Sequence, residues 1–203
     1  MHGGRARLQS CHKPPLRGAL APEVSMSKPP RDRRSTTSNT YFVTLSAYQR
    51  QSLFQSVRVA DLFLSTVFSY RDQNKFLVHE FVVMPNHAHL LITLQPDVTL
   101  ERTIQFIKGG FSFRAGKELG MKKEIWQRGY VDHRIRDAVD YLHHRNYVWL
   151  NPVKAQVSET VEAFAFSSAS GAFQLDPAPQ GLKPPTHARA HGTTEVVPSQ
   201  PAF

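Results

Sequence analysis

One cysteine, Cys11, stands in 203 residues. That excludes an internal disulfide and any multi-cysteine zinc site, and the usage fits a reducing cytoplasm. No run of about 18 apolar residues occurs, so no helix is expected to span a membrane. The N-terminus is basic but has no apolar stretch, so no signal peptide is expected. No internal repeat is visible. Acidic residues are also scarce: 16 against 25 Lys and Arg, a formal net charge of +9. Such an excess favours a polyanionic partner, nucleic acid or an acidic membrane surface, over a merely solvated basic surface. What is present is globular in kind: 40% hydrophobic and 20% charged residues, enough chain for one domain with a hydrophobic core.

The two ends differ from the middle. Residues 1–38 are rich in Arg, Lys, Pro, Gly and Ser without apolar periodicity, and read as a flexible basic arm in which Met26 is a candidate true start. Residues 176–203 are proline-rich and read as a disordered tail. The expected domain is 39–175. Within it, Tyr41-Phe42-Val43-Thr44-Leu45 has strand propensity, and Ser56 is placed to cap a helix carrying Val57, Ala60, Leu64, Val67 and Phe68. Phe76 to Met84 and His87 to Leu94 read as antiparallel strands across a Pro85-Asn86 turn. Leu100, Ile104, Ile107, Phe111, Ala115 and Leu119 step at helical spacing. Gly109-Gly110 weakens that helix by roughly 1 kcal/mol per glycine, which makes it a candidate break. Ile125 to Ile135 looks extended. Asp137 opens a last helix with Val139, Leu142 and Leu150 on one side, ended or kinked by Pro152. The order strand, helix, strand, strand, helix, strand, helix is that of an α+β, ferredoxin-like split βαβ layer, with a central antiparallel sheet and helices on one or both faces. The fold alone carries little functional information.

Two constellations carry chemistry. His87-Ala88-His89 lies on a strand, where residues i and i+2 share a face, so both imidazoles project together as two ligands of one ion need. Imidazole suits several divalent metals and does not choose among them. Ten histidines make a chance pair easy to obtain. Tyr147 and Asn151 are i and i+4 on the last helix. Tyr147 is off the apolar stripe, on the side of Asp140 and His144, and Asn151 offers a carbonyl oxygen suited to a hard cation. Taken singly, the pair also reads as a half-buried tyrosine and a helix-ending asparagine.

Three blocks in order resemble the single-tyrosine transposases of the HUH superfamily. They are Phe81-Val82-Val83-Met84-Pro85-Asn86-His87-Ala88-His89-Leu90-Leu91, then Trp126-Gln127-Arg128-Gly129-Tyr130 with Asp132-His133-Arg134-Ile135-Arg136, then Tyr147-Val148-Trp149-Leu150-Asn151-Pro152-Val153-Lys154-Ala155. The branch most resembled is the REP-associated tyrosine transposases, and the likeness covers roughly Tyr41 to Ser168. It implies that His87 and His89 ligate a divalent metal, Mg²⁺ or Mn²⁺, that Tyr147 on the C-terminal helix is the nucleophile, and that Asn151 stands where relatives place a Gln or Asn as third ligand. Ala88 is smaller than the residue common between the histidines, and Trp149 is large for its block.

The resemblance further implies cleavage and rejoining of single-stranded DNA through a 5′-phosphotyrosine with release of a 3′-hydroxyl. The implied substrate is hairpin DNA from imperfect palindromes repeated in bacterial intergenic regions, which places the expected action at the nucleoid. Related transposases are dimers that exchange the tyrosine helix, while the REP-associated branch includes monomers. Free tyrosine has a pKa of about 10, so the phenol proton needs an acceptor; the metal, His144 and nearby basic residues are candidates, and the sequence does not choose among them, His144 being equally readable as a solvated helix residue. Lys108, Arg114, Lys117, Arg128, Arg134 and Arg136 are the candidate phosphate contacts; among Phe111, Phe113, Trp126 and Tyr130, core packing is the better account of most. Arg31, Arg33 and Arg34 of the arm are further candidates. Three rival functions stay open: a non-catalytic nucleic-acid-binding module descended from such an enzyme, a small-phosphoester hydrolase using a metal-bound water, and a replication or relaxase nickase.

Overall fold

In the computed structural model the described residues are 39–122, 124–179 and 182. The basic arm and most of the proline-rich tail lie outside them. The element order is β1 (Thr40–Ser46), α1 (Val57–Asp72), β2 (Phe76–Met84), β3 (His87–Leu94), α2 (Leu100–Leu119), β4 (Val131–Arg134) and α3 (Ala138–Lys154). The strands form one sheet in the order β2-β3-β1-β4, and each neighbouring pair is antiparallel. This is the split βαβ arrangement expected from the element order. Among the described residues no helix is long and apolar enough to cross a membrane.

Alternation along the strands divides the sheet into two unlike faces. Val43, Leu45, Phe81, Val83, Ala88, Leu90 and Ile92 point to one side and merge with Phe63, Val67, Ile107 and Phe111 of α1 and α2 in the larger core. Phe42, Val82, Met84 and Leu91 point to the other side and meet Tyr141 and Val148 of α3 in a smaller one. The second face also carries His87, His89 and Thr44, because they share the strand parity of Leu91 and Phe42.

Four local expectations are corrected. α2 runs unbroken through Gly109 and Gly110. At Gly110 an added Cβ would lie 2.5 Å from Cε2 of Tyr70, and Tyr70 stacks on Phe106 of the same helix at 5.2 Å; close packing outweighs the propensity cost there. α3 continues through the buried Pro152 to Lys154, and Gln156, with φ of 57°, turns the chain away. Only Val131–Arg134 of the stretch expected to be extended is a strand; Trp126 makes an isolated bridge to Ala47. Finally, Val139, Leu142 and Leu150 do not face the core: they are 54%, 43% and 41% exposed. The buried line of α3 is Asp140, Tyr141, Val148 and Pro152, so this helix turns a partly polar side to the sheet.

The ordered packing also passes the expected boundary at Leu175. The Asp176 carboxylate accepts bonds from Arg71 Nε at 2.9 Å and from the Val78 backbone N–H at 2.8 Å, and Leu182 packs against the smaller core.

Candidate active site

His87 and His89 occupy the first and third positions of β3. Their Nε2 atoms are 3.1 Å apart, with ring planes at 79°. Each ring is held from behind: His87 Nδ1 donates to Asn86 Oδ1 at 2.6 Å, and His89 Nδ1 bonds to Thr44 Oγ1 at 2.9 Å. Burial lowers the pKa of both. His89, 4% exposed, is pushed down to about 3, with His87 as a second cause; His87 is lowered by burial and then by the Arg50 charge. Both are therefore neutral at pH 7, the form in which imidazole binds a metal.

Three aromatic contacts join this pair to α3. Phe42 stacks on His89 at 5.1 Å and 22° and meets Tyr147 edge-on at 5.7 Å. Tyr147 in turn meets His89 with ring centroids 5.2 Å apart. Tyr147 is 40% exposed, so its ring sits beside the imidazoles and is partly open to solvent. Capping sets the helix that carries it. The Asp137 side chain accepts from the Asp140 N–H at 2.8 Å, and the Arg136 N–H donates back to Asp140 at 3.1 Å, a reciprocal closure of the N-terminus. Further along, Trp149 Nε1 donates to Glu80 Oε2 at 2.7 Å, and Ser168 Oγ donates to the same oxygen at 2.6 Å. Burial, and then Glu80, push the neighbouring Tyr141 phenol up to about 12. Glu80, Trp149 and Ser168 thus fix how α3 lies on β2. Asn151, half-buried on α3 one turn beyond Tyr147, is joined by no described hydrogen bond to either histidine.

A second group of ligand-type side chains lies nearby. His133, Asp140 and His144 have donor atoms within 4.8 Å of one another. The His133 and His144 rings are stacked, however, at 4.6 Å and 17°. An imidazole lone pair lies in its ring plane, and two nearly parallel planes do not meet at one ion close to both rings. Hydrogen bonds explain the group instead. His133 Nε2 donates to Asp140 at 2.8 Å, and His144 Nδ1 donates to the Asp140 backbone carbonyl at 2.8 Å. Asp140, 9% exposed, is held low by the His133 and Arg136 bonds against the opposing effect of burial.

The candidate phosphate contacts fall in different places. Lys108 Nζ donates to the Gln127 and Gly129 carbonyls, each at 2.8 Å, and burial lowers its pKa. Arg114 bonds to Glu118 at 2.7 Å and to Ser65 and Thr66 of α1. Lys117 and Arg128 are exposed. Arg136 is largely exposed while touching Asp140. Arg134 pairs with Tyr41 in register and so projects to the α1–α2 side of the sheet.

Comparison with known proteins gives this geometry its context. The sequence profile of the family described as transposase IS200 like matches residues 35–151. The chain belongs to that family. The match takes in the histidine pair and ends on Asn151. Among individual IS200-like relatives, the REP-associated tyrosine transposase of Escherichia coli K12 is 30% identical over 143 residues, covering 68% of this chain and 83% of that one. A protein of Haemophilus influenzae named a putative REP-associated tyrosine transposase is 27% identical over 146 residues, covering 67% and 82%. A solved REP-associated tyrosine transposase bound to a REP hairpin superimposes with a TM-score of 0.57 at 27% identity, over 74% of this chain and 92% of that chain. The resemblance carried by the three sequence blocks is thereby established.

The residues around the histidine pair were not all legible in the sequence. Asn86 looked like a turn residue only, and Thr44 like a strand residue only. Thr44 has the same strand parity as Phe42, and its register partner is His89; pairing β1 with β3 on paper would have exposed it. Nothing local marks Glu80 as a carboxylate bonded to Trp149.

Proposed function

We propose that this chain cleaves and rejoins single-stranded hairpin DNA of the REP kind, with Tyr147 as nucleophile and His87, His89 and Asn151 holding a divalent cation. One observation carries the reading: an accessible phenol ring touches an imidazole whose Nε2 lies 3.1 Å from that of a second, also neutral, imidazole. A core tyrosine would be buried, whereas Tyr147 is 40% exposed beside the pair.

The donor set, two neutral imidazole nitrogens with crossing ring planes and the amide oxygen of Asn151 one turn beyond Tyr147, suits a divalent cation without choosing which; Mg²⁺ or Mn²⁺ is the ion that the family resemblance implies. A cation bound there draws charge from a non-bridging phosphate oxygen and so weakens the electrostatic shield around phosphorus. The protein's own groups do the rest. Phe42 and His89 flank the Tyr147 ring and limit its rotation. The Tyr147 oxygen attacks phosphorus in line; the bond to the 3′-oxygen breaks, and that oxygen leaves as a hydroxyl with one proton, matching the one the phenol loses. The DNA 5′-phosphate remains on the tyrosine, so a 3′-hydroxyl of another strand can reverse the exchange without ATP. Tyr147 meets His89 within one chain, which supports a monomer that uses its own tyrosine. Lys108, Arg114, Lys117, Arg128, Arg134 and Arg136 are the proposed phosphate contacts, with Lys117, Arg128 and Arg136 the most exposed of them. The working compartment is the bacterial cytoplasm.

The test uses the full chain and an end-labelled single-stranded hairpin with Mg²⁺ or Mn²⁺. A covalent protein–DNA adduct that survives denaturation, disappears in Tyr147→Phe and in His87→Ala, and leaves hairpin binding intact supports the reading. Hairpin binding with no adduct in the unaltered protein would establish the non-catalytic module instead.

A further inference from the structure

The histidine pair poses a proton problem. Asn86 Oδ1 carries no hydrogen, so at 2.6 Å His87 Nδ1 must be the donor and His87 Nε2 a bare lone pair. Facing it at 3.1 Å is His89 Nε2. Two bare lone pairs at that distance repel, so without a cation His89 must place its proton on Nε2 and donate to His87. His89 Nδ1 is then an acceptor, and the group bonded to it at 2.9 Å, Thr44 Oγ1, must donate. A cation between the two Nε2 atoms requires the reverse: both lone pairs point at the ion, the His89 proton sits on Nδ1, and its partner must accept. A hydroxyl does either by rotating about one bond; an amide oxygen or an amide N–H does only one.

We infer that Thr44 is a positioning residue for the His87–His89 pair, its hydroxyl reversing its hydrogen bond to His89 Nδ1 as a divalent cation is taken up, while Asn86 holds His87 permanently in the ligating form. The inference rests on the proposed metal role of the pair and deepens it. The sheet makes the device stable. Thr44, on β1, is the register partner of His89 on β3 and of Val131 on β4, so backbone ladders on both sides fix its Cβ while its hydroxyl proton can still rotate. Phe42 stacks on His89 and stops the ring from turning to meet the ion by itself. The proton stays on one imidazole throughout, moving between its two nitrogens by exchange with water.

Two measurements on the full chain test this. Imidazole ¹⁵N NMR of the unaltered protein, without and with Mg²⁺, should show His87 protonated on Nδ1 in both states and His89 changing from Nε2–H to Nδ1–H. Mn²⁺ titration followed by the EPR signal of free Mn²⁺ should show weaker binding in Thr44→Val by about tenfold, the loss usual for an outer-shell partner, with Thr44→Ser returning it to the unaltered value. Asn86→Ala should weaken Mn²⁺ binding similarly, and Asn86→Asp should not. If His89 keeps its Nε2 proton in saturating Mg²⁺, or if natively folded Thr44→Val binds Mn²⁺ as the unaltered protein does, the switch is wrong while the ion site stands. If neither histidine responds to Mg²⁺ or Mn²⁺, the ion site falls and the switch with it. The NMR measurement needs no variant, so a misfolded Thr44→Val leaves the outcome decidable.

Discussion

The two faces of the sheet are built by opposite rules. Under α1 and α2, buried phenylalanines, leucines and valines fill the space, and the sequence shows the usual apolar stepping. Under α3 the buried set mixes apolar residues with His89, Asp140 and Glu80, and the apolar stripe of the helix faces out. The lesson is that one face supplies the folding energy and frees the other to hold polar groups in a fixed geometry. A sequence departs from its own local rules where function requires it.

Substitutions on the two faces should therefore fail in different ways. The largest effect expected is on chemistry: Tyr147→Phe should lower adduct formation by on the order of 10⁴ or more while the thermal midpoint stays close to that of the unaltered chain. A large fall in the midpoint would make the phenol a packing element and erase the contrast. On the other face, Phe111→Ala removes a fully buried ring from between Phe54, Phe63 and Trp126. It should cost about 3–5 kcal/mol in urea unfolding; any loss of cleavage should parallel the unfolded fraction.

Smaller again is Gly110→Ala, which gains helix propensity but drives a methyl into Tyr70. A net loss of about 1–3 kcal/mol is expected, relieved when Tyr70 is shortened to Leu in the same chain. The gentlest probe is pH. His79, His87 and His89 all have pKa values lowered from 6.5, chiefly by burial. The unfolded chain therefore binds more protons below pH 6.5, and the folded state must lose stability as the pH falls through that value toward the native pKa values. Urea midpoints at pH 7.5 and 5.0 should differ in that direction. A flat profile would mean these rings are more hydrated than their burial indicates.

The first three strands and the antiparallel hairpin are readable in the residues because they depend on alternation and on a short turn. Phe76–Met84 and His87–Leu94 coincide with the observed β2 and β3. What failed was local inference about tertiary contact. Gly110 is tolerated because of a ring contributed by α1, and Pro152 because the end of α3 is packed. Val139, Leu142 and Leu150 form a regular stripe, yet the helix is turned by Asp140, His133 and the Trp149–Glu80 bond. The histidine pair, the tyrosine and the third block were visible as a pattern. Their supports, Asn86, Thr44 and Phe42, were not, because each acts across strands and pairing distance is not written in sequence distance.

Trp149 and Trp126 divide the molecule between them. The chain has two tryptophans; Trp126 lies among Phe54, Phe63 and Phe111, while Trp149, two residues after Tyr147, hydrogen-bonds the Glu80 carboxylate. Each indole is therefore a natural fluorophore for one side only. Light emitted by Trp149 in a Trp126→Phe background reads whether the tyrosine helix is seated, during DNA engagement and without any attached dye.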